Sequence, residues 1–262
     1  MDKKIRLKII KIGGNVIDDA KALSSFLTLF SSIEGPKILV HGGGKSATAL
    51  AEQTGLEVKM IDGRRITDAA TLELITMVYA GKINKMIVAQ LQAFDCNALG
   101  FTGADGNSIS SEKRPVSIID YGFVGDVKNV ETSTLELLLE HGVSPVFCAI
   151  THDKKGQLLN TNADTIASEL AIAFATHFEV ELYYCFEKKG VLKDVNDDDS
   201  VIQTITKSSY KKLLEAQIIF SGMLPKLNNC FHALDHKVSK VCIGTPETLL
   251  DSKAIFTTLT IQ

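Results

Sequence analysis

Residues 38–47 read "ILVHGGGKSA", an apolar run that stops at three glycines, a lysine and a serine. The run fits a buried strand, and the glycines fit a loop that lets a ligand approach the main chain. An ATP-binding P-loop, G-x-x-x-x-G-K-[ST], is excluded. With Gly44-Lys45-Ser46 closing that pattern, its first glycine would fall at position 39, which is Leu39. Glycines cost roughly 0.5–1 kcal/mol each relative to alanine inside a regular element, so three together need a reason beyond a turn. Backbone N–H groups presented to an anion at a helix start near residue 44 supply one; tight packing of helix on strand is the alternative.

Outward from this stretch, strand-like runs alternate with amphipathic helical ones, which predicts an α/β fold around a mostly parallel sheet. Strands are expected at 5–12, 37–41, 97–101, 116–119, 123–130, 144–150, 180–186 and 238–244. Helices are expected near 18–31, 44–55, 68–79, 82–94 and 162–176. "THDKKGQL" (151–158) reads as a hairpin tip, and "SGMLPKLNNCFHALDH" (221–236) as a helix with Pro225 in its first turn. The polar stretch "KDVNDDDSV" (193–201) reads as a solvated loop rather than a metal site.

The 262 residues are 45% hydrophobic and 23% charged, with a net charge of −3, ordinary for a globular protein and without the basic excess of a nucleic-acid binder. No apolar stretch approaches the roughly 20 residues that cross a bilayer. The start, "MDKKIRLKIIKIGG", reads as a first strand and not as a signal peptide. Cys96, Cys148, Cys185, Cys230 and Cys242 form no C-x-x-C pair, which fits buried thiols in a reducing cytoplasm. His232 and His236 lack the remaining ligands of a zinc site, and no metal-ligating set is expected.

Four places could carry chemistry. "KIGGN" puts Lys11 beside Gly13 and Gly14 at a strand end, either a cation with bare amides for a phosphoryl group or a surface lysine before a turn. "HGGGKS" adds Gly42, Gly43 and Gly44 at what should be the same sheet edge, where α/β proteins bind ligands. "NTNAD" combines Asn160, Asn162 and Asp164, a polar clamp or simply a helix cap. "GMLPKLN" sets Lys226 at a helix start, an awkward position for a cation unless an anion shares it; a solvated lysine is the alternative.

Taken in order, "KIGG", "HGGG", "DGRRIT", "GFTGADGNSI", "YGFVGDV", "NTNAD" and "GMLPKLN" resemble the amino-acid kinase family from about residue 5 to 250. "GFTGADG" followed by "GFVGDV" resembles its N-acetylglutamate kinase branch. The resemblance implies an open αβα sandwich with a mostly parallel central sheet in two lobes. Residues 1–176 would bind an acyl-glutamate and dimerise, and 177–262 would bind the nucleotide. It implies in-line transfer of the γ-phosphoryl group of ATP, with Mg²⁺, to the side-chain carboxylate of N-acetyl-L-glutamate in arginine biosynthesis. Succinyl in place of acetyl, or a catalytically weak regulatory binding protein of this fold, are the alternatives.

Carried over by position, Lys11 and Lys226 would stabilise the moving phosphoryl group and Asp164 would orient both. Gly43, Gly44, Arg65 and Asn160 would bind the substrate, and Gly13, Gly14, Gly42 and Asn162 the phosphoryl oxygens. Glu187, Gly190, Gly222 and Met223 would meet the nucleotide. No role carries over to Lys45. One departure stands out: where the family has a Ser/Thr-Asp pair, this chain has Phe186-Glu187, followed by Lys188 and Lys189. The lost hydroxyl predicts altered nucleotide contacts. The family further implies a cytoplasmic homodimer, and the few residues before Ile5 predict no feedback by arginine.

Overall fold

The computed structural model describes residues 4–61, 63–219, 223–251 and 253–261. Strand β1 (Arg6–Ile12) is followed by a short helix α1 (Gly14–Asp18), helix α2 (Ala20–Ser31), strand β2 (Lys37–His41) and helix α3 (Gly44–Gln53). A small hairpin of β3 (Met60–Ile61) and β4 (Arg64–Arg65) leads into α4 (Ala69–Thr76), a π-helical stretch (Met77–Ile83) and α5 (Asn84–Ala93). Then come β5 (Ala98–Phe101), β6 (Ile109–Lys113), β7 (Gly125–Val130), α6 (Ser133–Glu140), β8 (Ser144–Phe147), β9 (Ile150–His152) and β10 (Leu158–Asn160). Helix α7 (Ala163–Phe174), β11 (Glu179–Cys185), β12 (Thr204–Thr206), α8 (Lys207–Glu215), α9 (Leu224–Asp235), β13 (Lys240–Gly244) and β14 (Thr257–Thr260) complete the order.

Eight strands form one sheet in the order β12-β14-β13-β11-β1-β2-β8-β5. Neighbours from β13 to β5 are parallel, while β14 runs antiparallel to β13 and β12 follows β14. β2 is buried at every position, as a central strand covered on both faces must be. Helix α2 shows why the periodic readings work. Asp19 caps it by accepting from the Lys21 and Ala22 amides, and Leu23, Phe26, Leu27 and Phe30 bury one stripe at helical spacing. A second sheet, β10-β9-β6-β7, stands beside the first, and β9 with β10 form the hairpin expected around 151–158.

Three expectations need correction. Residues 116–119 are not a strand: Val116 is 64% and Ile118 99% exposed, so their apolar run has no layer to pair with or pack on. The run 144–150 splits at Cys148 and Ala149, giving β8 to the large sheet and β9 to the small one. The helices expected at 68–79 and 82–94 are joined by the π-helical stretch into a single helical run.

β1 and β2 are adjacent and parallel, with Lys11 opposite Val40 and Tyr184 and Ile12 opposite His41 and Cys185. Their carboxyl ends therefore carry both glycine loops to one edge, where α7 also begins. That edge holds the candidate site.

Candidate active site

Lys11 leaves β1 pointing at α7, and its Nζ lies 2.6 Å from Asp164 Oδ1. The two side chains are only 12% and 17% exposed. Asp164 sits in the first turn of α7, where the helix dipole favours a carboxylate. Burial alone would raise its pKa, yet Lys11 and Lys226 together win and hold it below the usual carboxylate range. Lys226, on α9, responds in the opposite direction: burial and the neighbouring Lys11 lower its pKa, against the pull of Asp164. Tyr184 ties the cluster to the sheet by donating its hydroxyl to the Asp164 carbonyl at 3.1 Å. Lys11, far from the other two in the chain, thus shares one edge with Asp164 and Lys226.

The glycine loop is built as tightly as its sequence requires. A Cβ on Gly43 would stand 2.6 Å from Ile83 Cδ1 and 2.7 Å from Tyr79 Cδ1. Both neighbours are buried, and both come from the π-helical stretch. A Cβ on Gly42 would touch that of Ala163 at 4.0 Å, so the loop abuts the start of α7. His41, fully buried just before the loop, donates from Nδ1 to the Gly42 carbonyl at 2.7 Å and accepts from Asn84 Nδ2 at 3.1 Å. Burial pushes its pKa down to about 4, so the ring is neutral and the bonding fixes its tautomer. Asn84 also donates to the Val146 carbonyl, and Gly100 makes room for it, since a Cβ there would lie 1.9 Å from Asn84 Oδ1. His41, Asn84 and Tyr79 were not expected from the sequence, and Asn84, between Lys82 and Lys85, carries no signal there.

On the other side of α3, Arg65 is 8% exposed. Its Nη2 donates to the Gly44 carbonyl at 3.0 Å and to Thr48 Oγ1 at 2.8 Å. Its Nη1 is buried and has no hydrogen-bond partner among the described residues, which a guanidinium tolerates poorly unless an anion joins it. An open cleft of about 620 Å³ lies alongside, lined by Gly44, Lys45, Thr48, Met60 and Arg65. Asn160 donates from Nδ2 to Thr67 Oγ1 at 2.9 Å.

Other expected residues lie in varied settings. The Gly13 amide is already spent on the Cys185 carbonyl at 3.2 Å, whereas Gly14 opens α1 beside Lys45 and Asp18. Asn162 commits its Oδ1 to capping α7, accepting from the Asp164 and Thr165 amides. Lys45 reaches across to Asn15. Gly190 is held to glycine by packing, because a Cβ would stand 2.5 Å from Thr257 Oγ1; Glu187 is exposed, and Met223 stands at the N-terminal boundary of α9 with no capping hydrogen bond from its side chain. Gly222 lies outside the described residues. Lys188 and Lys189 pair with Asp198 and Asp199, each at 2.6 Å, which ties the acidic loop down by its own neighbours.

Comparison with known proteins gives the family and the fold. The amino acid kinase family model matches residues 6–245. An acetylglutamate kinase of Phocaeicola vulgatus is 57% identical over 240 residues, covering 92% of this chain and 93% of the relative. One of Cytophaga hutchinsonii is 55% identical over 247 residues, covering 94% of each. Among solved structures, smu.665 from Streptococcus mutans superposes with a TM-score of 0.81 at 24% identity, covering 98% and 99% of the two chains. Carbamate kinase from Giardia lamblia bound to AMP-PNP gives 0.72 at 14%, covering 100% and 99%. At those identities the solved structures speak for the fold alone; with the sequence relatives, the chain belongs to the amino acid kinase family and, within it, to the acetylglutamate kinases.

Proposed function

We propose that this chain transfers the γ-phosphoryl group of ATP to the side-chain carboxylate of N-acetyl-L-glutamate. The observation that carries the reading is the half-buried Lys11–Asp164–Lys226 cluster at the edge shared by both glycine loops, in a chain more than half identical to acetylglutamate kinases. A carboxylate oxygen attacks phosphorus as the bond from phosphorus to the bridging oxygen of ADP breaks, giving an acyl phosphate. No proton need move, so positioning and charge stabilisation do the catalysis.

Lys11 and Lys226 would neutralise the oxygens of the phosphoryl group in transit, Lys226 from the leaving-group side. Asp164 would hold the two ammonium groups apart and in register. Amides at the start of α3 would bind the reacting end of the substrate, with Gly14 adding a donor from the facing loop. Arg65, with its buried and unpartnered Nη1, would take the α-carboxylate in fork geometry, and Asn160 the acyl-amino group. Gly13 is the weakest of the expected contacts, its amide being engaged already.

Magnesium would arrive with the nucleotide. Such an ion is held largely by phosphate oxygens and water, with one or two protein carboxylates at most, and the fit rests on Asp164 standing at this edge. When bound it supplies further neutralisation of the phosphate charge. The acyl-glutamate is assigned to residues 1–176 and the nucleotide to 177–262, a division supported by the family resemblance. A homodimer in the cytoplasm completes the proposal; the five free, buried cysteines are in keeping with a reducing compartment.

A hydroxylamine trap with MgATP tests the reading. Hydroxamate should form from N-acetyl-L-glutamate and not from free glutamate. None from any acylated substrate, with folded protein, refutes the kinase assignment, and a preference for N-succinyl-L-glutamate would reassign the acyl group. Light scattering on the eluting protein tests the dimer.

A further inference from the structure

Phe186, which follows β11 directly, does not stand idle. The Lys226 ammonium lies over its ring, 4.7 Å from the centroid. The ring is anchored from behind. The Phe186 amide donates to the Gly244 carbonyl at 3.0 Å, its side chain packs on the core, and its Cβ lies 3.9 Å from where a Gly13 Cβ would be. The charged and titratable groups facing Lys226 are Asp164 from α7, Lys11 from β1, Cys230 from α9 itself and Glu187 from the segment after β11. Among the described residues, the ammonium donates no hydrogen bond to any of them. Coulomb attraction to Asp164 keeps it nearby, but the aromatic face is the one contact with a direction.

We propose that Phe186 is a positioning residue for Lys226, its ring face serving as the platform that holds the ammonium at the site with its N–H groups free for phosphate oxygens. The inference rests on the phosphoryl-transfer reading above. A hydroxyl at this position could accept a hydrogen bond from the lysine and so occupy one of the donors that the transferring group needs. An aromatic face attracts the cation through its quadrupole and takes none of them away. The attraction grows as water is excluded, and this lysine is half-buried.

The test uses the full chain with phenylalanine at 186 replaced by mono-, di- and trifluorophenylalanine, which drain the ring face without changing its shape. Phe186→Leu and Phe186→Tyr accompany the series. With MgATP and N-acetyl-L-glutamate, kcat should fall stepwise with fluorination and by about 3- to 30-fold in Phe186→Leu. Phe186→Tyr should stay within about twofold, as should KM for both substrates throughout, given that uniform binding is untouched. In a Lys226→Met background, Phe186→Leu should add nothing. A flat kcat across the fluorinated series overturns the proposal. So does a loss confined to KM for ATP, which would make the ring a nucleotide contact. A second readout does not depend on turnover: the Lys226 side-chain protons should show an upfield ring-current shift that vanishes in Phe186→Leu. If the unmodified chain forms no hydroxamate, the kinase reading fails, and the presence or absence of that shift still decides where the ammonium rests.

Discussion

Replacing Asp164 by asparagine tests the centre of the site most directly. The change keeps the shape and removes the charge from a pair whose ions lie 2.6 Å apart and are mostly buried. At an effective dielectric of about 20, the gross attraction at that distance is about 6 kcal/mol, much of it offset by the desolvation of both ions. Breaking one side of such a pair costs more than the pair's net worth, because Lys11 stays buried without its counter-ion. About 3 kcal/mol of stability should be lost, the lower end for a buried pair, since asparagine retains an acceptor. Urea unfolding followed by circular dichroism would read this as a lower midpoint at unchanged slope. The sign of the pH dependence follows from the depressed native pKa. Asp164 contributes fully above the unfolded value near 3.8, and its contribution disappears as pH falls through the native one. The gap between wild type and Asp164→Asn should therefore narrow steadily as pH drops below 3.8. Turnover should fall about 10²–10³-fold, the scale for losing one preorganised electrostatic group. A loss under about 1 kcal/mol that is constant with pH, with turnover within threefold, would refute the account of the cluster.

Other outcomes follow from the same geometry. Lys226 has its native pKa below 10.5, so kcat should decline on the alkaline side before an ordinary lysine would titrate. Stability should rise through that same window, because the unfolded chain binds the extra proton there; parallel rate and urea profiles would expose opposite slopes or disprove them. Gly43→Ala would drive a methyl into Ile83 and Tyr79, costing about 1–3 kcal/mol by overpacking and displacing the amides next to it. Thermal melts and initial rates should both register it, and an unshifted melting point would contradict the close approach. Arg65→Lys should raise KM for N-acetyl-L-glutamate by about 10- to 100-fold while leaving KM for ATP alone, because a point charge replaces a fork. Equal changes in both KM values would count against an α-carboxylate contact.

The parts of the fold legible in sequence were those whose neighbours impose a period. β2 matched its expected limits because a strand buried on both faces reads as an unbroken apolar run. Helix α7 was visible through the cap at Asn162 and the buried stripe behind it. What escaped was polar or short. β6 reads "ISSEK", a polar strand of the second sheet with Ser110 and Ser111 buried, and β12 and β14 are threonine-rich segments on the large sheet's far side. Residues 116–119 failed the other way, their apolar pattern lying exposed. In the site, the family resemblance nominated Lys11, Asp164 and Lys226, where the residues alone left a surface lysine, a helix cap and a solvated lysine open; the structure brings the three together at one edge. Residue order could not foresee that π-helical backbone would press Tyr79 and Ile83 on Gly43, or that Phe186 would lie under a lysine. Those depend on which side chains face each other across elements, and spacing along one chain does not encode that.

All five cysteines of the chain are free and buried, and each sits on or beside a different element. Cys96 precedes β5, Cys148 follows β8, Cys185 ends β11, Cys230 lies in α9 and Cys242 in β13. A thiol reagent can reach each of them only when the structure around it opens, so labelling resolved peptide by peptide times those openings separately. Cys96 and Cys148 report on the sheet edge beyond β2, and Cys185, Cys230 and Cys242 on the side that carries Lys226. With ATP and without it, the second group should slow while the first keeps its pace, if nucleotide binding steadies that half of the molecule. The protein thus carries a built-in clock for each side of its sheet, readable by mass spectrometry without a single substitution.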